Sequence, residues 1–343
     1  MDGAERFAGC MLGGAAGDAL GYLLAPLSLY RIRKKYGPYG LRTVLKLESN
    51  GKQGVIADNT QMTLFTADGL LWADHDGLTP QEGLYRSYMR WYYTQTERII
   101  QPFQTAWMHR QAHEEQYDYD MMAAAYLFFR RGPGKACLVS LASGHPFTAV
   151  WQANRCRSSS VLRTAPAGLR YQGDPEKAFA VGEEAAVLTH GSPNAAMAAG
   201  TLSAMTALLV QGQAMETALN EVVSLLRRHD GGEKLADSLL QTAGDAVSGG
   251  DPVQAMKRIG LGWDAVEALL LSVYCVMHGQ TLKDAVILAC NQDGNSDACG
   301  AVTGNLAGAL YGEQAVPRSW LSGLDGAAMA RHLSQCLYER SLA

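Results

Sequence analysis

Two short clusters of oxygen-bearing side chains are the residues best suited to chemistry in this 343-residue chain. The first is 57–62 (Ala-Asp-Asn-Thr-Gln-Met), and the second is 291–300, which contains Asn295, Ser296 and Asp297. Carboxylate, amide and hydroxyl oxygens are the ligands that a hard cation such as Mg²⁺ prefers. If the two clusters meet in space, they would supply those oxygens from both sides. One hypothesis is therefore a shared magnesium site.

The spacing alone favours a structural role for the same acids. Each cluster precedes an apolar segment with the composition of a helix. Asp58 and Asp297 would then be helix N-caps or first-turn acids, which satisfy free backbone N–H groups at a helix start. This interpretation and a metal site both stay open at this point.

The segments around the clusters are helical in pattern almost throughout. Apolar residues at helical spacing, with many Ala, Met and Leu, predict helices over 60–71, 193–210, 214–228, 233–247, 264–278 and 280–290. Joints rich in Gly and Asp separate these segments, as expected at helix ends. Strand-like alternation is rare, and 41–47 is its best, weak example. No repeat or low-complexity linker divides the chain, so the sequence predicts an all-α fold in a single domain over residues 1–343.

Three glycines predict an unusually close helix contact. Gly300, Gly304 and Gly308 are each four residues apart, so they share one face of a helix. This spacing also occurs in membrane helices, but the run is short and contains Asn305. The pattern favours a soluble helix whose bare face packs in the centre of a bundle.

Composition and charge narrow the class of protein. Apolar residues make up 48% of the chain and charged residues 18%, which favours a large core and excludes disorder as the main state. The net charge is −4, and nucleic-acid binders normally present a basic face. The densest basic run, 31–35, is interpreted as a solvated helix face. No nucleic-acid partner is expected.

The cysteines and the N-terminus indicate a reducing compartment. The seven cysteines include no CxxC pair, which favours free, buried thiols. No basic segment followed by a hydrophobic run begins the chain, and we find no apolar run of about 18 residues without charges or strong breakers. We expect a cytoplasmic protein that makes no membrane contact.

Six segments, in this order along the chain, resemble the ADP-ribosylglycohydrolase family: 9–21, 58–63, 133–144, 161–169, 189–191 and 294–297. Segment 58–63 (Asp-Asn-Thr-Gln-Met-Thr) resembles the family's first metal motif, usually Ser/Thr-Asp-Asp-Thr-x-Met. Segment 294–297 (Gly-Asn-Ser-Asp) stands where the family has Gly-Asp-Ser/Thr-Asp-Ser/Thr. Each segment alone is weak, and their common order carries the resemblance.

The resemblance implies an all-α fold, two Mg²⁺ ions bridged by the acidic motifs, and release of ADP-ribose from modified proteins. It implies metal ligands at Asp58, Asn59 and Asp297. It implies ligand-binding residues at Gly134, Ser140, Gly144, His145, Asn295 and Ser296. Backbone N–H groups at helix starts bind phosphates without specific side chains. Phosphate binding would therefore survive loss of the metals. Tyr22 and Trp263 are aromatic candidates near the ligand, although the sequence favours a core position for Trp263.

Several positions depart from the family pattern. The expected oxygen ligands are replaced by Ala25, Ala57, Asn59, Asn295 and Ala298, and only Asp58 and Asp297 clearly remain. Asparagine keeps an oxygen but no charge, and alanine keeps neither. Two Mg²⁺ ions need carboxylates to stay near each other and shed water reluctantly. The sequence therefore predicts that Mg²⁺ binding is weak or absent.

Three functions follow from this comparison. The first is binding of ADP-ribose, an ADP-ribosylated protein or another protein partner with little or no hydrolysis. The second is an active Mg²⁺-dependent hydrolase in which Asp58 and Asp297 are catalytic and hold one ion, with Asn59, Asn295 and Asp293 completing its shell. The third is a structural or inhibitory protein that reuses the fold.

Other patterns have structural interpretations. His109 and His113 have the spacing of zinc ligands on a helix, but no third ligand is evident. Segment 132–136 lacks most of a phosphate-binding loop. Cys137 and His190 do not form a recognisable nucleophile pair and are predicted to be structural, with His190 closing a helix end.

Overall fold

Helices form nearly all of the regular structure in the computed structural model, which describes residues 2–48, 53–97, 99–109, 120–143 and 156–342. Their bounds are α1 Gly3–Gly21, α2 Leu29–Tyr36, α3 Asp58–Asp76, α4 Pro80–Thr96, α5 Thr105–Met108, α6 Lys135–Ala142, α7 Ala165–Arg170, α8 Pro175–Val187, α9 Pro193–Val210, α10 Met215–Arg228, α11 Glu233–Val247, α12 Pro252–Ile259, α13 Ala265–His278, α14 Leu282–Cys290, α15 Ser296–Tyr311, α16 Arg318–Leu321 and α17 Ala327–Ser341. Short 3-10 turns join several of them. The all-α prediction is confirmed.

The six predicted helical segments correspond to α3, α9, α10, α11, α13 and α14, with ends shifted by a few residues. Their joints carry the expected chemistry. The side chains of Asp264 and Thr281 accept backbone N–H groups at the starts of α13 and α14. Gly77 ends α3 in the left-handed conformation, with φ 64°. Side-chain caps therefore fix the starts of α13 and α14, whereas α3, α9, α10 and α11 begin without one.

The predicted strand over 41–47 is wrong for most of its length. The structure has a small antiparallel hairpin, β1 Lys46–Glu48 with β2 Gln53–Gly54. Leu41 instead bonds through both its N–H and its C=O to the side chain of Asn291, at 2.8 and 2.9 Å. Because a side chain satisfies this backbone, no neighbouring strand is needed there.

Helices α1 and α15 run antiparallel with their backbones in contact. A Cβ added at Gly13 would lie 2.3 Å from the carbonyl oxygen of Gly304, and one at Gly17 would lie 2.0 Å from that of Gly300. The prediction of a central helix with a bare face is confirmed. Its partner face, on α1, was not predicted. This pairing places the end of α1 beside the start of α15.

Helix α9 lies inside the helical assembly. It has the length and apolar composition of a membrane span, and 89% of its residues are buried against the rest of the protein. The sequence predicts this helix over 193–210 but not its likeness to a membrane span, although the segment contains no charged residue. An all-round apolar helix is typical of a protein core as well as of a membrane span.

All seven cysteines are free, as predicted, and all except Cys156 are buried. Burial raises the pKa of the Cys10 thiol to about 12, and it does the same to the Cys299 thiol. A buried neutral thiol behaves as a small apolar group. These side chains therefore belong to the core.

Candidate functional site

A cleft of about 720 Å³ opens where α1 ends and where α3, α6 and α15 begin. Its floor carries Asp58, Asn59, Asn295 and Asp297, so the two clusters singled out in the sequence do meet in space. The remaining lining residues come from the neighbouring loops and helix starts: Tyr22, Leu23, Ala25, Pro26, Gly132, Gly134, Lys135, Ala136, Arg157, Ser158, Ser159, Leu162 and Trp263. The site combines carboxylates with cations, hydroxyls and aromatic rings.

Asp18, near the end of α1, fixes the start of α3. It is fully buried, and its carboxylate accepts hydrogen bonds from the backbone N–H of Ala57 at 2.8 Å and from that of Thr60 at 3.1 Å. The hydroxyl of Thr60 and the side-chain amide of Asn59 also donate to it, at 2.5 and 3.0 Å. Burial raises the pKa of Asp18, and these four donors lower it part of the way back. Asp18 is committed to holding α3 in place.

Asp58 is the first residue of α3, and its carboxylate reaches across the cleft to the start of α6. One oxygen accepts the backbone N–H of Gly134 at 3.0 Å, and the backbone N–H of Asp58 donates to the Arg131 carbonyl at 3.1 Å. Burial raises the pKa of Asp58 well above its usual value, and the charges of Asp297 and Asp18 add to the shift. Three carboxylates therefore share one low-dielectric region.

Asp297 lies in the first turn of α15 and is half-buried at the cleft floor. Burial and the charge of Asp18 raise its pKa to about 7, although the backbone N–H of Ala298 donates to its carboxylate and the side chain of Asn59 also lowers the pKa. The predicted first-turn positions of Asp58 and Asp297 are both confirmed, although neither is the N-cap, which falls to Ala57 in α3 and Asn295 in α15. Their position at a helix start and their place in the cleft are compatible.

Two amides replace the acids that the family pattern leads one to expect. Asn59 donates to Asp18 at 3.0 Å, and its side chain also lowers the pKa of Asp297. Asn295 donates to the Ser158 hydroxyl at 2.9 Å. An amide donor supplies partial positive charge without requiring an ion. The Asn59 amide therefore reduces the need for a cation beside these carboxylates.

The donor set fits a single hard cation better than two. Asp58 and Asp297 are the carboxylates that reach the cleft, because the oxygens of Asp18 already accept four hydrogen bonds. No three His, Cys, Asp or Glu side chains form a metal-ligand group in the described ranges. Ala25, which also lines the cleft, and the buried Ala57 carry no ligand oxygen in their side chains. Two carboxylates with water would suit one Mg²⁺, whereas two ions would carry twice their charge.

Some predicted ligand-binding residues lie elsewhere. Ser140 is buried on α6 and donates to the Leu188 carbonyl at 3.3 Å, away from the cleft lining. Ser296 is fully buried, and its backbone packs against Gly21. The Ser140 hydroxyl therefore links α6 to the end of α8, and the Ser296 hydroxyl donates locally to the Gly294 carbonyl at 3.4 Å. Gly144 and His145 lie outside the described residues.

Asp293 also points away from the cleft. Its carboxylate accepts the backbone N–H of Leu29 at 2.7 Å and lies 3.4 Å from the Lys257 ammonium. The hypothesis that Asp293 completes a metal shell is therefore not supported by its position. It holds the start of α2 against the loop that precedes α15.

Trp263 corrects the expectation of a core position. It lines the cleft and is 44% exposed, so its ring is available to a ligand. Tyr22 lines the same cleft, as expected. The pair provides two apolar surfaces near the carboxylates, a common feature of small-molecule sites.

The cleft lining also includes Arg157, Ser158 and Ser159, for which the sequence analysis predicted no role. His190 Nε2 lies 3.0 Å from the Ser159 hydroxyl, and His190 Nδ1 lies 2.8 Å from the hydroxyl of Thr189. His190 also closes the end of α8 through its backbone N–H, as predicted. The run Arg-Ser-Ser-Ser was a weak signal, because short polar loops are common.

His109 and Cys137 have structural roles in the described part of the chain. His109 pairs with Asp120 at 2.6 Å, and His113 lies outside the described residues. The Cys137 sulfur accepts a hydrogen bond from the buried Arg163 at 3.2 Å. Neither residue lines the cleft.

Comparisons with known proteins identify relatives of this chain by sequence. An uncharacterized protein of Archaeoglobus fulgidus is 25% identical over 343 residues, which cover 98% of this chain and 96% of that protein. ADP-ribosyl-[dinitrogen reductase] glycohydrolase of Rhodospirillum rubrum is 29% identical over 178 residues, 52% of this chain and 54% of that protein. ADP-ribosylarginine hydrolase Tri1 of Serratia proteamaculans is 25% identical over 181 residues, 53% of this chain and 46% of that protein. The matches to these two named enzymes span about half of each.

A structural match and a family model both cover nearly the whole chain. A solved ADP-ribosylglycohydrolase-related protein complex superposes with a TM-score of 0.64 at 22% identity, covering 99% of both chains, which shows a shared fold. The sequence model of ADP-ribosylglycohydrolase matches residues 1–342. The chain therefore belongs to the ADP-ribosylglycohydrolase family.

Proposed function

We propose that this protein binds the ADP-ribosyl group of modified proteins in the cleft, holds at most one Mg²⁺ there, and hydrolyses its ligand slowly or not at all. Family membership and the names of the two enzymes above support an ADP-ribosylated ligand. The low activity is argued from this chain's own side chains.

The position of Asn59 is the observation that carries the proposal. Where the family pattern has a second carboxylate, the Asn59 amide donates to Asp18 at 3.0 Å and lowers the pKa of Asp297. A metal-dependent hydrolase uses its ions to activate a nucleophile and to stabilise the leaving oxygen. An amide in that place removes one charge from the ion-binding set and neutralises part of the rest.

Basic, hydroxyl and aromatic residues of the cleft lining support binding of an anionic nucleotide-like ligand. Arg157 and Lys135 supply two cations, and the Ser159 hydroxyl lies beside His190. Charge-assisted hydrogen bonds from such groups are strong contacts for phosphate oxygens. The rings of Trp263 and Tyr22 would pack against the flat parts of the ligand. None of these contacts requires a metal.

Calorimetric titration of ADP-ribose, once with Mg²⁺ and once with EDTA, tests the proposal. We expect binding in both buffers, with at most a modest gain from Mg²⁺. A parallel assay measures release of ADP-ribose from a protein ADP-ribosylated on arginine, for which Asn59→Asp/Asn295→Asp is the informative variant. Release that rises in that variant and falls again in EDTA supports a degraded metal site. EDTA-sensitive release by the unmodified protein at rates typical of enzymes would contradict the proposal, and so would the absence of binding in either buffer.

An active hydrolase with an altered site is the second candidate. It is favoured by one observation, that Asp58 and Asp297 both line the cleft and interact electrostatically. In that case Asp297→Ala abolishes turnover. Turnover unchanged by Asp297→Ala would remove Asp297 from the mechanism.

A further inference from the structure

The segment that leads away from the cleft is unusually basic. Residues 19–47 contain six Lys and Arg and no Asp or Glu, in a chain whose net charge is −4. Lys46 donates to the Ser322 carbonyl, and the other five cations are exposed. With the neighbouring Tyr30, which is 73% exposed, they form what we call the basic face: Tyr30, Arg31, Arg33, Lys34, Lys35 and Arg42.

The five cations are available to a partner. No acidic side chain in the described parts of the chain forms an ion pair with any of them. Helix α2 buries only Leu29 and Ile32, so its other sides face solvent. Asp293, which accepts the N–H of Leu29 at the start of α2, lies 3.4 Å from the Lys257 ammonium. The five cations of the basic face therefore have no ion-pair partner among the described acids.

The basic face is anchored beside the mouth of the cleft. Pro26 lines the cleft, and Tyr30 follows four residues later, so the two Cα atoms are at most about 14 Å apart. On the other side, Asp293 holds Leu29 and Asn291 holds Leu41, just before Asn295 at the cleft floor. The start of the basic face therefore lies close to the lining of the cleft.

We propose that the basic face docks an acidic segment of the protein whose ADP-ribosyl group enters the cleft, an inference that rests on the proposed function. Opposite charges steer encounter and select partners, and Tyr and Arg are enriched where interfaces gain most affinity. Docking beside the cleft would raise the local concentration of the modified residue there.

The size and charge of the surface favour an acidic protein over a nucleic acid. Helix α2 has eight residues, about 12 Å of helix, which covers only a few phosphates. The pI of the chain is 6.1, whereas nucleic-acid-binding domains usually exceed 9. A short cluster of Glu or Asp beside a modified residue matches this dimension.

Fluorescence anisotropy with two probes tests the docking. One probe is a fluorescein-labelled decapeptide of alternating Glu and Ser, and the other is a single-stranded oligothymidine with the same number of negative charges. Each is titrated with the full-length protein at 20 and 200 mM NaCl. We expect the peptide to bind more tightly than the oligonucleotide, and to bind several-fold more weakly at the higher salt.

A matched pair of variants locates the contact. Arg33→Gln/Lys34→Gln/Lys35→Gln should weaken peptide binding at least tenfold. Lys234→Gln/Arg318→Gln/Arg340→Gln removes three exposed cations far along the chain and should leave it within twofold. Thermal melts verify that both variants fold. Equal weakening by both variants, tighter binding of the oligonucleotide, or no binding of either probe would overturn the proposal.

The calorimetric ADP-ribose titration separates this inference from the proposed function. The basic-face variant should bind ADP-ribose as the unmodified protein does, because none of its three positions lines the cleft. Peptide binding without ADP-ribose binding would leave the docking surface standing and the proposed function wrong. ADP-ribose binding without peptide binding would do the reverse.

Discussion

The side-chain amide of Asn59 donates to Asp18 across 3.0 Å, and this contact joins the end of α1 to the first turn of α3. Asp18 also accepts the backbone N–H groups of Ala57 and Thr60. A buried carboxylate is costly unless donors surround it. Asn59 is therefore part of the support for Asp18 as well as part of the cleft, and its exchange for an acid affects both.

The variant Asn59→Asp should make the stability of the protein depend on Mg²⁺. Without a cation, the new carboxylate replaces a donor and faces Asp18 and Asp297, and we expect a loss of about 1–3 kcal/mol. A bound ion would neutralise this repulsion and stabilise the folded state. Thermal melts in EDTA and in Mg²⁺ measure both effects.

The unmodified protein provides the comparison for that experiment. Its melting temperature should shift less on addition of Mg²⁺ than that of the variant. If Mg²⁺ stabilises both proteins equally, Asn59 is not what limits ion binding.

The contact between α1 and α15 was only half predictable. The spacing of Gly300, Gly304 and Gly308 indicates a bare helix face, because period and residue size are local properties. The partner face on α1 is equally glycine-rich, but pairing of two faces so distant in sequence depends on the whole assembly. Local sequence patterns predict the helices, whereas only the structure shows which helices pack against each other.

The variant Gly304→Ala tests how tightly these backbones pack. An added Cβ would lie 2.1 Å from the carbonyl oxygen of Gly13, which cannot move without shifting α1. We expect a loss of at least about 2 kcal/mol by overpacking. Gly244→Ala is the matched control, since Gly244 is an exposed residue of α11 with no atoms within 4 Å of an added Cβ. That change should stabilise by up to about 1 kcal/mol, and a denaturation series that ranks the two the other way would contradict the close contact.

The candidate site was predictable where it consists of acids and amides at helix starts. Asp58, Asn59, Asn295 and Asp297 were found because their side chains carry oxygens at two helix starts and because both segments resemble motifs of the family. Ser159 and Arg157 were missed, and Trp263 was placed in the core. Whether a loop residue faces a cleft depends on the loop's path, which hydrophobic pattern does not encode.

Trp263→Ala should weaken ADP-ribose binding about tenfold, because stacking of a base on an aromatic ring is worth about 1–3 kcal/mol. The ring is 44% exposed, so the melting temperature should change little. Trp107→Ala is the control, since Trp107 is 42% exposed and does not line the cleft. Calorimetry that finds equal affinities for both variants would place the ligand away from Trp263.

Asp297→Asn should stabilise the protein at high pH. The pKa of Asp297 is raised from 3.8 to about 7 in the folded protein. A folded carboxyl with a raised pKa keeps its proton after the unfolded chain has lost it, so its contribution to stability falls as the pH rises from about 4 to about 7. At pH 8 the ionised carboxylate is a cost, and because the side chain is half-buried and partly screened by water we expect its removal to gain on the order of 2 kcal/mol.

The measurement is urea denaturation in EDTA at pH 5 and at pH 8. The free energy of unfolding of the variant should be larger than that of the unmodified protein at pH 8 and nearly equal to it at pH 5. Some pH dependence should remain in both proteins, because the pKa values of Asp18 and Asp58 are also raised. Asp237→Asn, at an exposed carboxylate paired with Arg227, controls for loss of one negative charge. If the free energy of unfolding changes between pH 5 and pH 8 by the same amount in Asp297→Asn as in the unmodified protein, Asp297 titrates as it does in the unfolded chain. The cleft would then be wetter than its packing indicates, and its carboxylates less costly to leave without a cation.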